Sequence, residues 1–362
     1  MGVLTALAIL AGLIVVHEAG HFLAARWQGI RVSGFSIGFG PPLLQLRRDG
    51  VLYALRLIPL GGFVSFPDDE EDSPVPADDP DLLRNRPLPQ RALVIAAGVL
   101  ANFLLAWTVL VAQGVFVGIP DGFQSSPGVL VSSVQPAQAA ALGGLRGGDR
   151  ILGLQGASLG GGQPAVGTLV EAIRTAPGQE LRLEIERDGQ RLPLVLTPQA
   201  MGGIGRIGAQ LQPSGREVYR RPRGPLEPIR EANRDFRVLT ARTAEGFVSL
   251  ATHFGETASQ VSGPVKIVAM GASLAREGGG SLFVFTALIS INLAVLNALP
   301  LPLLDGGQFV LLLLEGLRGR PLPERFQMAF LQSGFVFLVG LSVLLIVRDT
   351  SQLPAVQQLL SR

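Results

Sequence analysis

Residues 3–21 read Val3-Leu-Thr-Ala-Leu-Ala-Ile-Leu-Ala-Gly-Leu-Ile-Val-Val16 and then His17-Glu18-Ala19-Gly20-His21. The uncharged run and its continuation to Ala25 are long enough for a helix to cross a bilayer core, which takes roughly 20 residues. His17 and His21 stand four apart, so on a helix they share a face and can offer both imidazoles to one ion, with Glu18 beside them. This is the H-E-x-x-H zinc spacing. A short motif of this kind also arises by chance, and two histidines on an apolar helix could serve packing or a haem-like arrangement. Its position matters more, because ionisable groups inside a membrane span need a functional reason.

The rest of the composition supports a membrane setting. Of 362 residues, 48% are hydrophobic and 16% charged, against roughly 25% charged in soluble globular chains. A polytopic α-helical membrane protein of about four transmembrane helices with a soluble insert fits best. A formal net charge of +2 gives no nucleic-acid surface. The absence of cysteine excludes disulfides, thiolate zinc sites and cysteine nucleophiles together. No basic stretch precedes the first apolar run, so a cleaved signal peptide is the weaker reading.

Outward from the motif, the first span covers residues 1–25 and a loop follows over residues 26–91. In it Leu43–Leu46 and Val51–Leu55 read as strands joined across Arg47-Arg48-Asp49-Gly50, a hairpin turn. Gly34, Gly38, Gly40, Gly61 and Gly62 mark tight turns or close backbone approach. The apolar character of Phe35, Ile37 and Phe39 suits a segment dipping into the membrane, provided protein surrounds its backbone. Residues 68–81, acidic and broken by proline, read as a solvated flexible linker and not a cation site. A second span covers residues 92–119; its polar interruptions, Asn102 and Gln113, read as bonds to neighbouring helices.

Residues 124–213 read as a small soluble domain, with strands at Val129–Val134, Leu181–Arg187 and Leu192–Leu196 and helices at 136–142 and Thr168–Thr175. The alanine-rich helix, Gly144-Leu145-Arg146-Gly147-Gly148-Asp149 and Ile151-Leu152-Gly153-Leu154-Gln155-Gly156 resemble PDZ domains, which bind extended peptides at a sheet edge. Residues 225–262 form an amphipathic helix that lies on a membrane surface or packs on the soluble domain. His253 near its end reads as an interfacial histidine. A third span, residues 281–316, is interrupted at Asn297-Ala298-Leu299-Pro300-Leu301-Pro302-Leu303-Leu304-Asp305-Gly306-Gly307, and helix resumes at Gln308. A fourth covers residues 328–347, followed by a tail at 348–362.

If the arginine-bearing connections 26–91 and 318–325 face the cytoplasm, the positive-inside rule is met and the N-terminus, insert and tail lie outside. His17 then comes about 15 residues, ~22 Å, down its span, and Asp305 about 24 residues down the third. Both fall toward the cytoplasmic end, so a shared site is geometrically possible. Hydrolytic zinc commonly takes three protein ligands, and Asp305 is the acidic side chain embedded in the third span's apolar surroundings. A zinc ion there would bring a water's pKa toward neutrality and polarise a peptide carbonyl. Glu18 would take the proton as general base and return it to the leaving nitrogen. Asn292 and Asn297 could donate hydrogen bonds to substrate backbone or serve helix packing.

Taken together, the sequence resembles the site-2 protease family of intramembrane zinc metalloproteases, in its bacterial regulator-of-sigma-E-protease branch. The matching pieces are the His17–His21 motif, Phe35-Ser36-Ile37-Gly38-Phe39-Gly40-Pro41, Pro59-Leu60-Gly61-Gly62-Phe63-Val64, the PDZ-like insert, Ser262-Gly263-Pro264-Val265, and Asn297 to Gly307. The resemblance implies His17, His21 and Asp305 as Zn2+ ligands, Glu18 as catalytic base and Asn297 as a substrate contact. It implies that the glycine-rich hairpin, with Gly38, Gly40, Gly61 and Gly62, helps hold the substrate strand. It further implies a bacterial cytoplasmic membrane location and single-span membrane protein substrates, such as trimmed anti-sigma factors or signal-peptide remnants. The PDZ domain would be extracytoplasmic and meet peptide termini or trimmed ectodomains. The chain departs from the best-known members in carrying one PDZ copy where they carry two. The competing readings are a catalytically silent PDZ scaffold with a structural metal, and a metal transporter, for which the spans offer too few polar residues.

Overall fold

The computed structural model describes residues 2–70, 73–135, 138–253, 263–277 and 280–351. Helix α1, Gly2–Trp27, carries the opening apolar run. Strands β1, Gly34–Arg48, and β2, Val51–Ser65, follow. They join at Asp49 (φ 48°) and Gly50 (φ 79°), both positive, as the tight hairpin turn requires. The strands are longer than the short pair expected, and each is folded on itself. Gly34–Ile37 faces Leu52–Leu55 along one side and Gly62–Ser65 along the other, while Leu44–Arg48 closes on Val51–Leu55. The fold-back needs Gly38 (φ +89°), where a Cβ would lie 2.5 Å from the Ile58 carbonyl oxygen. Leu43, Leu44, Leu57 and Ile58 remain exposed.

The acidic segment is not the free linker that its composition suggests. Arg31 pairs with Asp79 at 3.0 Å, Arg86 with Asp81 at 2.6 Å, and the Arg84 N–H donates to Asp68 at 2.8 Å. Flanking arginines tie the carboxylates down, a pairing that composition alone hides; Glu71 and Asp72 lie outside the described residues. Helix α2, Leu88–Phe116, begins with proline in its first turn, where the missing N–H costs nothing. It starts and ends a few residues earlier than residues 92–119.

Two units emerge, Met1–Ile119 with Arg221–Arg362, and Pro120–Arg220. In the second, β3 (Ile119–Val134), β4 (Arg150–Leu154), β5 (Ala157–Ser158), β6 (Leu181–Arg187), β7 (Gln190–Leu196) and β10 (Ala209–Arg220) form one sheet. Its order is β10-β3-β4-β6-β7, with β5 beside β4, while β8 (Gln199–Met201) pairs with β9 (Ile204–Arg206). Helices α3 (Ala139–Leu142) and α4 (Gly162–Thr175) accompany it. Helix α4 starts six residues before the expected Thr168 because Gly162, Pro164 and Gly167 mask a helical start. For α3, the expected Pro136 and Ala137 fall outside the described residues. Val129, Val131, Ile151, Leu169, Ile185 and Leu196 are fully buried in its core.

Asp149, 1% exposed, closes the glycine turn of this unit. It accepts from the Arg146 backbone N–H at 2.7 Å and from Arg187 through Nε and Nη2, each at 2.7 Å. The bidentate carboxylate raises the pKa of the Arg187 guanidinium, and a buried charge paired in this way offsets its own desolvation.

The chain then returns to the first unit. Helix α5, Glu227–Thr252, was open between a membrane surface and the soluble domain in the sequence; its apolar side lies along α2. Trp107 Nε1 donates to Asn233 at 2.7 Å, and the Phe103 and Phe236 rings meet at 5.8 Å. Residues 254–262 of the expected 225–262 helix, with Ser262 of the quoted motif, lie outside the described residues. Helix α6, Pro264–Glu277, was not expected at all; it packs on α1, with Gly271 against Ala6 and Phe285.

The expected third span of residues 281–316 is two helices, α7, Gly280–Ala298, and α8, Asp305–Arg318. Pro300 and Pro302 remove donors between them, and Leu303 takes φ 71°. Helix restarts at Asp305, three residues before Gln308, since a carboxylate is favourable at a helix N-terminus. Gly306 and Gly307 let the turn close, a Cβ on either striking backbone carbonyls of residues 298–301. Arg91 of α2 reaches Glu315 of α8 at 3.0 Å. Helix α9, Glu324–Ser351, follows; residues 352–362 of the tail lie outside the described set. Among the described residues four helices are long and apolar enough to span a membrane: α1, α2, α7 and residues Arg325–Leu344 of α9.

Candidate metal centre

Two helices, α1 and α8, meet at His17, His21 and Asp305. The helical spacing of α1 brings the two rings edge to face, centroids 4.8 Å apart and planes at 88°. Their Nε2 atoms converge to 3.3 Å, and each lies 3.3 Å from Asp305 Oδ2 at the first turn of α8. The three atoms form a nearly equilateral triangle. A tetrahedral ion with bonds of about 2.0–2.1 Å separates its ligands by about 3.3 Å, so the triangle matches one face of a zinc site. His17 is 7% exposed, and the Asp305 side chain 15%.

The protonation pattern tests the fit. The His21 Nδ1 atom lies 2.8 Å from the Val94 carbonyl oxygen, which can only accept, so Nδ1 carries a proton and the neutral form of the ring has its lone pair on Nε2. Asp305 Oδ2 is buried without a hydrogen-bond donor among the described residues. With His21 neutral, its Nε2 lone pair and the Asp305 carboxylate oxygen, 3.3 Å apart, both face the centre of the triangle, where a cation would join them. The donor set of two imidazoles and one carboxylate is one that hydrolytic zinc takes.

Glu18 is beside the triangle, half-buried, under the hairpin. A Cβ on Gly62 would lie 3.2 Å from Glu18 Cγ, and the Val64 backbone N–H is directed at the carboxylate. Among the described residues the strand segment Gly62–Ser65 is the last in its sheet, paired only on its Gly34–Ile37 side. Gly38 and Gly61 serve the hairpin itself, Gly61 (φ +109°) packing on the Phe39 ring, and Gly40 sits near Ile58. Asn292 and Asn297 are half-buried on α7, and neither side chain has a hydrogen bond among the described residues. His253 is exposed at the end of α5, with Thr252 Oγ1 2.8 Å from its Nδ1, apart from the triangle.

Residues of α2 complete the site, and the sequence reading did not assign them to it. Val94, Gly98 and Asn102 recur every four residues, one face of the helix. Val94 holds His21. A Cβ on Gly98 would overlap His21 Nε2 and lie 2.7 Å from His17 Cε1. Asn102, 0% exposed, lies 3.2 Å from His17 Nδ1 through its amide nitrogen, the bond to a neighbouring helix that its place in the span implies, with a metal-ligand candidate as the partner. The signal available was a glycine four residues before an asparagine in an apolar span.

The model of peptidase family M50, the site-2 protease family, matches residues 5–341. A Nostoc sp. protein named "Putative zinc metalloprotease all3971" is 49% identical over 98% of this chain and 97% of its own length. A Synechocystis sp. protein, "Putative zinc metalloprotease slr1821", is 47% identical over 99% of this chain and 97% of its own. "Membrane metalloprotease ARASP, chloroplastic" of Arabidopsis thaliana is 43% identical over 99% of this chain and 80% of its own. The chain belongs to peptidase family M50. It is a zinc metalloprotease with several apolar helices, of a membrane-embedded protease family.

Proposed function

We propose that His17, His21 and Asp305 hold the zinc, that Glu18 is the general base, and that the substrate is a peptide bond within or near the transmembrane segment of a single-span membrane protein. The observation that carries this reading is the convergence of two imidazoles and one carboxylate, at 3.3 Å from one another, on helices that include a candidate span. Bound zinc supplies an activated water and polarises the scissile carbonyl. Glu18 takes the water's proton on its carboxylate and gives it to the leaving amide nitrogen.

A substrate helix in lipid has its backbone groups paired internally, so it must unwind to be cut. The open side of Gly62–Ser65, beside Glu18, suits an extended strand whose main chain pairs with it. Gly38, Gly40 and Gly61 shape that hairpin, and Asn297 and Asn292 contact the strand from α7. The unit Pro120–Arg220 is read as a single PDZ domain, on its helices, its antiparallel sheet and the Gly144–Asp149 turn. The positive-inside rule sets it outside a bacterial cytoplasmic membrane, with the zinc toward the cytoplasmic end. There it meets peptide termini or trimmed ectodomains, as for anti-sigma factors and signal-peptide remnants. In proteoliposomes, a chelator should stop cleavage of a model single-span substrate and added zinc should restore it. Cleavage that continues in metal-stripped protein would refute this.

A further inference from the structure

His21 has a carbonyl on its outer nitrogen; His17 has an amide, which can donate or accept. We propose that Asn102 is a positioning residue for His17, its side-chain oxygen accepting the proton on Nδ1 and thereby presenting the Nε2 lone pair to the zinc. The inference rests on the reading of His17 as a zinc ligand given above.

Burial is the first reason to assign Asn102 a task. It is 0% exposed in the middle of an apolar span, and an amide taken out of water without partners is costly. Its fork lies 3.2 Å from His17 Nδ1, with no other polar side chain bonded to it among the described residues.

The chemistry fixes which end of the fork must face the ring. Coordination through Nε2 uses a neutral imidazole, so the proton is on Nδ1 and the neighbour has to accept it. An amide nitrogen has no free lone pair for this; an amide oxygen has two. With the nitrogen toward the ring, Oδ1 is a buried acceptor without a donor. Half a turn about Cβ–Cγ exchanges the two ends of a fork of nearly equal shape. The oxygen then meets the His17 proton at the same separation.

The backbone of this turn is fixed by a second contact. Ser290 Oγ, on α7 and also 0% exposed, donates to the Asn102 carbonyl oxygen at 2.8 Å. Asn102 and Val94 thus do the same task for two ligands from one face of α2. A residue that only knitted α1 to α2 would lower stability whatever its chemistry. A proton acceptor for His17 has a different signature, because only acceptors can replace it.

The test uses the full chain in detergent micelles, with zinc affinity measured by competition against a chromophoric chelator and thermal unfolding measured on the metal-free protein. Asn102→Leu should weaken zinc binding about 10–100-fold, the usual effect of losing an outer partner of a metal ligand. Asn102→Asp, an acceptor only, should bind as tightly as the parent or tighter. Equal weakening by Leu and Asp would overturn the proposal, as would unchanged affinity in the Leu variant. If the Leu protein does not fold, Asn102→Ala against Asn102→Asp makes the same comparison. His17→Ala separates the two levels. Zinc affinity unchanged in that variant removes the zinc assignment of His17 itself, whereas loss there with parent-like Asn102→Leu removes only the positioning role.

Discussion

Replacing Glu18 by Gln should reduce cleavage of a membrane-reconstituted substrate by about 10³-fold or more while leaving the zinc content at one ion per chain, since general acid–base catalysis contributes about 10²–10⁴-fold. Glutamine has nearly the volume of glutamate, and Glu18 is not one of the three converging ligands. The site should therefore keep its shape and its metal while losing the group that moves the proton. The two readouts must be taken on the same preparation, because a loss of zinc would explain a loss of activity without any statement about Glu18. Cleavage within tenfold of the parent at equal zinc would remove Glu18 from the reaction.

Gly98→Ala is the second large effect, and it comes from packing alone. The added methyl would overlap His21 Nε2 and come within 2.7 Å of His17 Cε1. Both imidazoles must then rotate, or α1 and α2 must separate where Gly20 also packs against Ala97 and Ala101. Overpacking of this kind costs about 1–3 kcal/mol of stability. The effect on the site is larger, because misplacing reacting groups by about 1 Å can cost ~10²-fold. We expect zinc affinity and cleavage to fall together by about 100-fold or more, with helical content by circular dichroism retained. Gly12→Ala is the matched control on α1, since nothing lies within 4 Å of a Cβ there. Parent-like zinc binding in Gly98→Ala would mean that α1 and α2 do not pack as described.

The contrast between these residues shows what a single sequence discloses. The His17–His21 spacing is local, set by 3.6 residues per turn, and the apolar run around it marks a membrane span by length. Asp305 could be picked out because an acid embedded among leucines and prolines stands out chemically. Gly98 and Asn102 carried no such mark. A glycine in an apolar helix is ordinary, and an asparagine there signals only that some partner exists, not that the partner is a zinc ligand 85 residues earlier.

The same limit explains the differences in fold. The Asp49-Gly50 turn was readable from two residues, whereas the fold-back of both strands depends on Gly38 taking positive φ against Ile58. Helix α5 has a clear apolar stripe, but the stripe does not name what covers it. Its packing on α2 is set by matching small and aromatic residues, Ala232 and Phe236 against Ala106 and Phe103. Helix α6 is apolar but short, and becomes legible only against α1. Residues 68–81 look disordered by composition, yet Arg31, Arg84 and Arg86 bond to three of their acids.

X-ray absorption at the zinc edge, on the purified chain and on Asp305→Ala, tests the metal centre most directly. The parent should show one zinc per chain with two imidazole nitrogens and oxygen ligands at about 2.0–2.2 Å, and the variant should lose the ion or an oxygen ligand. An unchanged spectrum in Asp305→Ala, or a zinc shell without two imidazoles, would contradict the site built from His17, His21 and Asp305.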